Sequence, residues 1–350
     1  MTPPFVLPRA RCRRQVALRD VGRAAAICLC AAFAAAGGDA FGADGDDAEA
    51  DDAATSPPAA KDMFFFSPVV SGEWRPETAY AGGRGRVASA TAAGEFSMFL
   101  KRGGHTLYAE TAWRRTDWHF EIVAAGVTTA AGALPDYTQR AGALVHYEWQ
   151  YSPRWGVVAM LTGNGATGDG ARFGDALSGA VGVGMRYNLP KEWVRGLTFF
   201  SGVMLASRIQ TSPDWLPFAA LNWKIDKHWS LRTGAGLTLT HDFFGDESLR
   251  VSLAGAWHNS RFLLRSDTTG GTGVGVAGAA GAKRDRVLQT KEALLTLSVT
   301  KEFLKRFGYI RAGVGGSFFG KHKFRSHSER LETLRVHPHA VLTLEGGIRF

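Results

Sequence analysis

Cysteine is scarce in this 350-residue chain, and its distribution excludes two kinds of site. Only three cysteines occur, and all lie within the first 30 residues, at Cys12, Cys28 and Cys30. From residue 31 onward the chain therefore has neither a disulfide framework nor a cysteine-ligated metal centre.

Long hydrophobic runs are missing too. The apolar run Ala24–Ala36 has 13 residues, whereas a membrane-spanning helix needs about 20. Six arginines precede this run and small residues end it. Residues 1–36 are therefore predicted to be a secretory signal peptide.

The stretch from 37 to 62 has little apolar surface to bury and is rich in acidic residues, so it is predicted to be a disordered periplasmic tail. The rest of the chain is basic, with 34 basic against 23 acidic residues from Met63 onward. A basic chain can bind nucleic acid, but an export signal argues against a nucleic-acid partner.

Apolar residues alternate with small or polar residues throughout the remainder of the chain. One example is Leu177–Leu189, where valines at 181 and 183 are separated by glycines at 182 and 184. A β-strand sends successive side chains to opposite faces. Segments of about ten residues with one apolar face are typical of outer-membrane strands.

Short charged turns that end in tryptophan recur between these segments. The predicted turns precede Trp118, Trp155, Trp193 and Trp229. Tryptophan favours the headgroup level of a membrane, so these four residues are predicted to form an interfacial aromatic girdle. The longer connections, rich in glycine or charge, are expected to face outward, since outer-membrane barrels have short periplasmic turns.

The chain ends in an alternating strand closed by Phe350. A terminal aromatic residue on such a strand resembles the signal that the bacterial barrel-assembly machinery reads, so this machinery is an expected partner and the outer membrane the expected location. The predicted fold is all-β, a transmembrane antiparallel up-and-down barrel of about 14 strands over residues 63–350, with 12 as an alternative. Residues 63–93 are expected to be either a plug or an extra strand.

Several strand boundaries follow from the pattern. Separate strands are predicted at 105–114 and 117–127, and again at 248–258 and 261–266, with short turns near 115 and 259. Residues 229–242 are predicted to form one strand.

The stretch Leu216–Trp223 (LPFAALNW), followed by Asp226–Leu231 (DKHWSL), resembles an uncharacterised bacterial family. This domain of unknown function is described as an outer-membrane β-barrel with an LPxxxLxW strand and a WxLxL strand. The similarity covers about residues 137–265 and implies the barrel fold without any catalytic residue. The chain is also similar to barrels associated with aromatic-hydrocarbon degradation, which implies solute uptake.

Charged residues in the polar phase of the strands are predicted to line the lumen. They are Glu148, Arg186, Lys224, Arg232, Arg250 and Glu345. The leading interpretation is a passive pore or solute-uptake channel with a weak preference for anions. A closed structural or adhesive barrel, whose loops bind an envelope partner, is the alternative. Basic external segments, including Lys283 and Lys321, are expected to face the phosphates of lipopolysaccharide.

An enzyme is the least favoured interpretation, and no cofactor or metal is expected. His241 and Asp242, placed near the external end of a strand, are the candidates for a surface hydrolase or a lipid-modifying barrel, but no serine is fixed beside them. Histidines at 322, 327, 337 and 339 are predicted to be solvated residues of the last external loop rather than metal ligands. The oligomeric state, the solute and the signal cleavage site stay open.

Overall fold

The computed structural model describes residues 62–350, apart from 123–133, 169–170, 209–210, 235, 265–285, 304–306 and 327–328. The predicted signal peptide and all of the acidic tail except Asp62 lie outside the described residues. Within the described part of the chain, no helix combines the length and the apolar character needed to cross a membrane.

The described residues form one antiparallel sheet that closes on itself. Seven strands run away from the rim that contains Met63 and Phe350, here named the terminal rim: β1 (Met63–Ala79), β3 (His105–Ile122), β5 (Trp155–Gly168), β7 (Leu197–Arg208), β9 (Trp229–Thr233), β11 (Leu249–Leu264) and β13 (Gly308–Ser326). Eight strands return from the opposite, distal rim or from within the wall: β2 (Gly85–Arg102), β4 (Tyr137–Gln150), β6 (Leu177–Asn188), β8 (Thr211–Lys224), β10 (Gly236–Asp242), β12 (Arg286–Phe303), β14 (Glu329–Arg335) and β15 (His339–Ile348).

Closure comes from the pairing of β12 with β13 and of β1 with β15. β14 and β15 follow one another along β13, so they occupy one position in the wall. The barrel therefore has 14 strand positions, which confirms the predicted fold class.

Apolar side chains cover the outside of the barrel, and small or polar side chains face inward. In β6, Val181 and Val183 are 52% and 56% exposed. An ideal Cβ at Gly182 would lie 2.8 Å from Met160, which is in phase with the interior-facing Thr162 of β5. An apolar exterior of this extent suits a hydrocarbon environment and not water.

The strand number agrees with the prediction. β1 is the extra strand of the two expected alternatives and not a plug, because it pairs with both β2 and β15. Three strand boundaries differ from the prediction. β3 and β11 each run unbroken through a predicted turn, so the turns near 115 and 259 are wrong. The predicted strand 229–242 is instead the hairpin β9–β10, whose tip lies within the wall.

Among the described residues, no strand pairs with the first part of β8 on the side of this hairpin. On that side β8 pairs with β9 only from Asn222 to Lys224. The Leu221 backbone N–H points to the same side and donates to Thr233 Oγ1 at 2.9 Å. Pro217 lies four residues before Leu221, so its backbone nitrogen faces the same side of β8. Proline has no N–H group, so this position has no hydrogen-bond donor that needs a partner.

Above the β9–β10 hairpin, β11 leans across to β5. Leu263 and Thr167 form a parallel bridge between these two strands. Around this junction lies an apolar cluster that we call the distal core, formed by Tyr80, Val87, Ala166, Ala176, Phe262–Leu264, Val287, Leu288, Phe324, Leu334 and Val336. These side chains are at most 9% exposed, so the distal end of the barrel interior is filled.

Candidate functional site: the interior cavity and its charges

A cavity of about 950 Å³ occupies the barrel interior beneath the distal core. Residues of β1 to β5, β7, β11, β12, β13 and β15, together with Val336, line it, and most of them are polar or small. A second space of about 220 Å³ adjoins it and shares Arg140, Asn164 and Ser260 as lining residues. Together they form the polar chamber of the protein.

A buried ionic group crosses the chamber from β1 to β12. Arg75 Nε donates to Glu73 Oε1 at 2.6 Å, and Arg75 Nη1 donates to Glu292 Oε2 at 2.5 Å. Ser317 Oγ donates to the same Glu292 oxygen at 2.6 Å. One arginine is thus held by two carboxylates, which fixes its position and neutralises its charge.

Glu148 and Arg186, both predicted to line the lumen, form an ion pair near the terminal rim. They reach each other from β4 and β6 across β5, in which Gly156 lies opposite Arg186. Arg186 Nε also donates to Asn188 Oδ1 at 3.0 Å. The two side chains bind each other, and neither lines the chamber.

Arg250 and Glu345 are likewise engaged by partners. Arg250 donates to Glu302 Oε1 at 2.6 Å. Glu345 lies within 3.2 Å of Arg311 and accepts a hydrogen bond from Tyr309 at 2.9 Å. Of the six predicted lumen residues, Glu345 is the one that lines the 950 Å³ cavity.

Lys224 and Arg232 lie away from the chamber. Lys224 is exposed at the terminal end of β8, where its backbone N–H donates to the Gly196 carbonyl. Arg232 lies in the short strand β9, opposite Asn222 and Thr238. The predicted set of lumen cations is therefore not the set that the chamber contains.

Arg114 and Arg140 line the 950 Å³ cavity, and neither forms an ion pair with a carboxylate of the described residues. Neither was predicted to line the lumen. They are directly opposite each other in the β3–β4 ladder. Arg140 Nη2 donates to Asn164 Oδ1 at 3.1 Å. Arg114 was missed because a turn was predicted at residue 115. Reading residues 105–122 as one strand places residue 114 in phase with Tyr108, Glu110 and Ala112.

Trp118 lies inside the barrel and not in an interfacial turn, which corrects its predicted role. It belongs to β3, and its indole Nε1 donates to Thr138 Oγ1 at 2.9 Å. Its ring stacks on Phe120, with centroids 5.6 Å apart, and contacts His322 edge-on at 5.5 Å. The charges at 114, 115 and 117 suggested a turn, but the stretch contains neither glycine nor proline to end a strand.

His322 is also buried, in contrast to the predicted solvated loop. It lies in β13, which extends over Gly308–Ser326 and includes much of the expected loop. The Tyr80 hydroxyl and His322 Nδ1 are hydrogen-bonded at 2.9 Å, and burial raises the pKa of Tyr80. The predicted loop becomes a strand because β13 pairs with β14.

The other predicted aromatic residues lie at the terminal rim. Trp155 and Trp229 begin β5 and β9, and Trp193 lies in the β6–β7 connection with 75% of its surface exposed. Phe350 exchanges backbone hydrogen bonds with Phe66 of β1, at 3.0 and 3.2 Å. Their interfacial and assembly roles stay predictions.

His241 and Asp242 lie at the terminal rim, not at the external end that was predicted. The Asp242 carboxylate accepts the backbone N–H groups of Phe244 and Glu247, at 3.1 and 2.6 Å. The His241 ring packs 4.4 Å from the Trp229 ring, and no described atom hydrogen-bonds to its Nδ1. Asp242 thus stabilises a turn, and the two side chains do not form an acid–base pair.

Within the described residues, no three histidine, cysteine, aspartate or glutamate side chains gather in a way that could hold a metal ion. Of the four histidines considered, His327 lies outside the described residues. His339 Nδ1 is 3.1 Å from the carbonyl oxygen of His337, and His322 is held by Tyr80.

No family model matches the chain, and no curated protein matches it either. Solved barrels are similar in fold. An outer membrane channel from Pseudomonas putida F1 has 8% identity and a TM-score of 0.41, over 85% of this chain and all of that one. The P. putida toluene transporter TodX has 10% identity and a TM-score of 0.35, over 84% and 90%. The translocator domain of autotransporter NalP from Neisseria meningitidis has 13% identity and a TM-score of 0.33, over 81% and 88%. Likenesses this distant indicate nothing about a solute.

Proposed function

We propose that this protein is a passive solute-uptake channel of a bacterial outer membrane. The observation that carries the proposal is the polar chamber of about 950 Å³ inside a closed barrel with an apolar exterior. A barrel with a purely structural role gains nothing from a chamber, because an unfilled interior loses packing contacts. A polar chamber that admits water and small solutes is what a channel needs.

The distal core is the constriction in this proposal. Trp118 and Phe262 both line the chamber and pack at its distal end. Hydrophobic constrictions in channels block ions by excluding water. We infer that solutes pass when these side chains move, and that the resting conductance is consequently small.

Planar-bilayer conductance of the refolded chain tests the proposal. The wild-type protein should give discrete steps, and Trp118→Ala and Phe262→Ala should each increase the step size. Leu161→Ala is the matched control, because Leu161 is 59% exposed on the outside of β5. Silence of the wild type and of both core variants would refute the channel.

A second candidate is a closed barrel that binds an envelope partner through its distal segments. The specific observation in its favour is the distal core itself, since Leu288 and Leu334 are at most 1% exposed and seal one end. This candidate predicts no conductance from any variant, together with unchanged retention of the barrel in the membrane. The same bilayer recordings therefore separate the two functions.

A further inference from the structure

Arg114 and Arg140 are directly opposite each other in the β3–β4 ladder, which distinguishes them from the arginines that face a carboxylate. Arg75, Arg186 and Arg250 each bind a glutamate. Among the described residues, none forms an ion pair with either member of the Arg114–Arg140 pair.

The flanking strands explain this lack of neutralising charge. The ladder places Ala93 of β2 beside Arg114 and Ala166 of β5 beside Arg140. Like charges directly opposite each other in a sheet destabilise it. Two cations maintained side by side, with small neutral neighbours, indicate a use other than stability.

Asn164 extends the pair on the neighbouring strand. Its side-chain oxygen accepts a hydrogen bond from Arg140, which orients its amide group. Gly142 makes room for it, because a Cβ at residue 142 would lie 2.4 Å from Asn164 Oδ1. Guanidinium groups and an amide N–H₂ are all donors, and two adjacent guanidinium groups match the oxygens of a carboxylate or a phosphate.

The space next to these donors has the size of a small solute. The adjoining pocket of about 220 Å³ is bounded by Arg140, Asn164 and Ser178 on one side and by Asn259 and Ser260 of β11 on the other. These residues add further hydrogen-bonding groups.

We propose that Arg114, Arg140 and Asn164 form a binding site for the oxyanion group, carboxylate or phosphate, of a small solute within the barrel. The inference rests on the proposed uptake function and names the chemical class of solute that the channel favours. An anion at this site relieves the repulsion between the arginines and forms charge-assisted hydrogen bonds with both.

Calorimetric titration of the full refolded chain in detergent, with sodium benzoate and with inorganic phosphate as separate titrants, tests the site. The wild-type protein should bind at least one of the two titrants. Binding of benzoate alone indicates a site for carboxylates, and binding of phosphate alone indicates a site for phosphate-bearing solutes. Binding of both indicates a general oxyanion site. Arg114→Gln and Arg140→Gln should each weaken binding by about tenfold or more. Both variants should refold well, since each removes the repulsion.

Two further variants separate this site from a general charge effect. Arg154→Gln removes the same charge from the exposed turn between β4 and β5 and should leave binding unchanged. Asn164→Ala removes the side-chain amide without changing any charge and should weaken binding.

Conductance of the same preparations separates the site from the function. A wild-type barrel that conducts but binds neither titrant, or that binds equally well as Arg114→Gln and Arg140→Gln, would overturn the site and leave the channel intact. Binding that depends on the arginines in a barrel that never conducts would establish the site and refute uptake.

Discussion

Replacing Arg186 by glutamine should destabilise the barrel more than replacing its partner Glu148. The Glu148 side chain is 11% exposed and the Arg186 side chain is 24% exposed, so Glu148 depends more strongly on the ion pair. Breaking a buried pair from one side leaves an uncompensated charge, at a cost of about 3 kcal/mol. Glu148→Gln leaves Arg186 with Asn188 and partial solvent, and should cost about 1–2 kcal/mol.

The double variant provides the decisive comparison. Replacing both residues removes both charges, so the double variant should lose only about 1 kcal/mol of unfolding free energy. A buried ion pair often contributes no more stability than the uncharged residues that replace it. The coupling energy is then about 3–4 kcal/mol, at or slightly above the upper end of the range for contacting residues. Urea unfolding of the barrel in lipid vesicles, followed by tryptophan fluorescence, measures all three free energies.

Arg311→Gln provides a matched control at a second ion pair, which joins β13 and β15. Its pair with Glu345 is more exposed, at 31% and 21%, and solvent screening should limit the loss to about 1 kcal/mol. If the two single variants at 148 and 186 add up to the double variant, the charges do not interact and the reasoning is wrong.

Three other outcomes are expected. The refolded chain should migrate on a gel in a heat-modifiable manner, as membrane barrels do; recovery of a water-soluble monomer from the periplasm would contradict this. Deletion of Phe350, or its replacement by aspartate, should reduce surface levels of the protein, because the hydrogen bonds between Phe350 and Phe66 join the ends of β1 and β15 at the terminal rim. Unchanged surface levels would contradict the predicted role of Phe350 as an assembly signal. The Asp226 carboxylate accepts backbone N–H groups of His228 and Trp229, both at 2.7 Å, which hold its pKa below the ordinary value. Because the pKa of Asp226 is depressed in the folded state, the ionised carboxylate stabilises the turn at pH values above the unfolded-state pKa of about 4. This stability is lost as pH falls through the folded-state pKa. Hydrogen exchange of the turn amides should therefore depend on pH in this range in the wild type and not in Asp226→Ala.

The fold class could be predicted from the sequence because alternation is a local property. Every residue between Leu177 and Leu189 indicates which face it takes, whatever the rest of the chain does. The inward direction of Arg186 and Arg250 followed from the same rule. Which carboxylate each arginine binds did not follow, since Glu148 and Glu302 lie on other strands, 38 and 52 residues away in sequence.

Strand ends were harder to predict than strands. Charge within β3, at Arg114, Arg115 and Asp117, has the same composition as a turn, and only the pairing with β2 and β4 shows that the strand continues. The opposite error occurred at Thr233, where an alternating segment turns back within the wall. Glycine inside a strand pattern, as at Gly234 and Gly236, is compatible both with a continuous strand and with a bend. The site residues near these two points were therefore misplaced or missed.

The open edge of β8 affects how the protein behaves beside other chains. A row of exposed backbone N–H and C=O groups is a template on which a second strand can form, which leads to strand exchange or aggregation. Pro213 and Pro217 both lie in the half of β8 that has no paired strand on one side among the described residues. Because Pro217 offers no N–H there, a foreign strand would find an interrupted ladder. Proline at this edge therefore opposes strand addition by another chain.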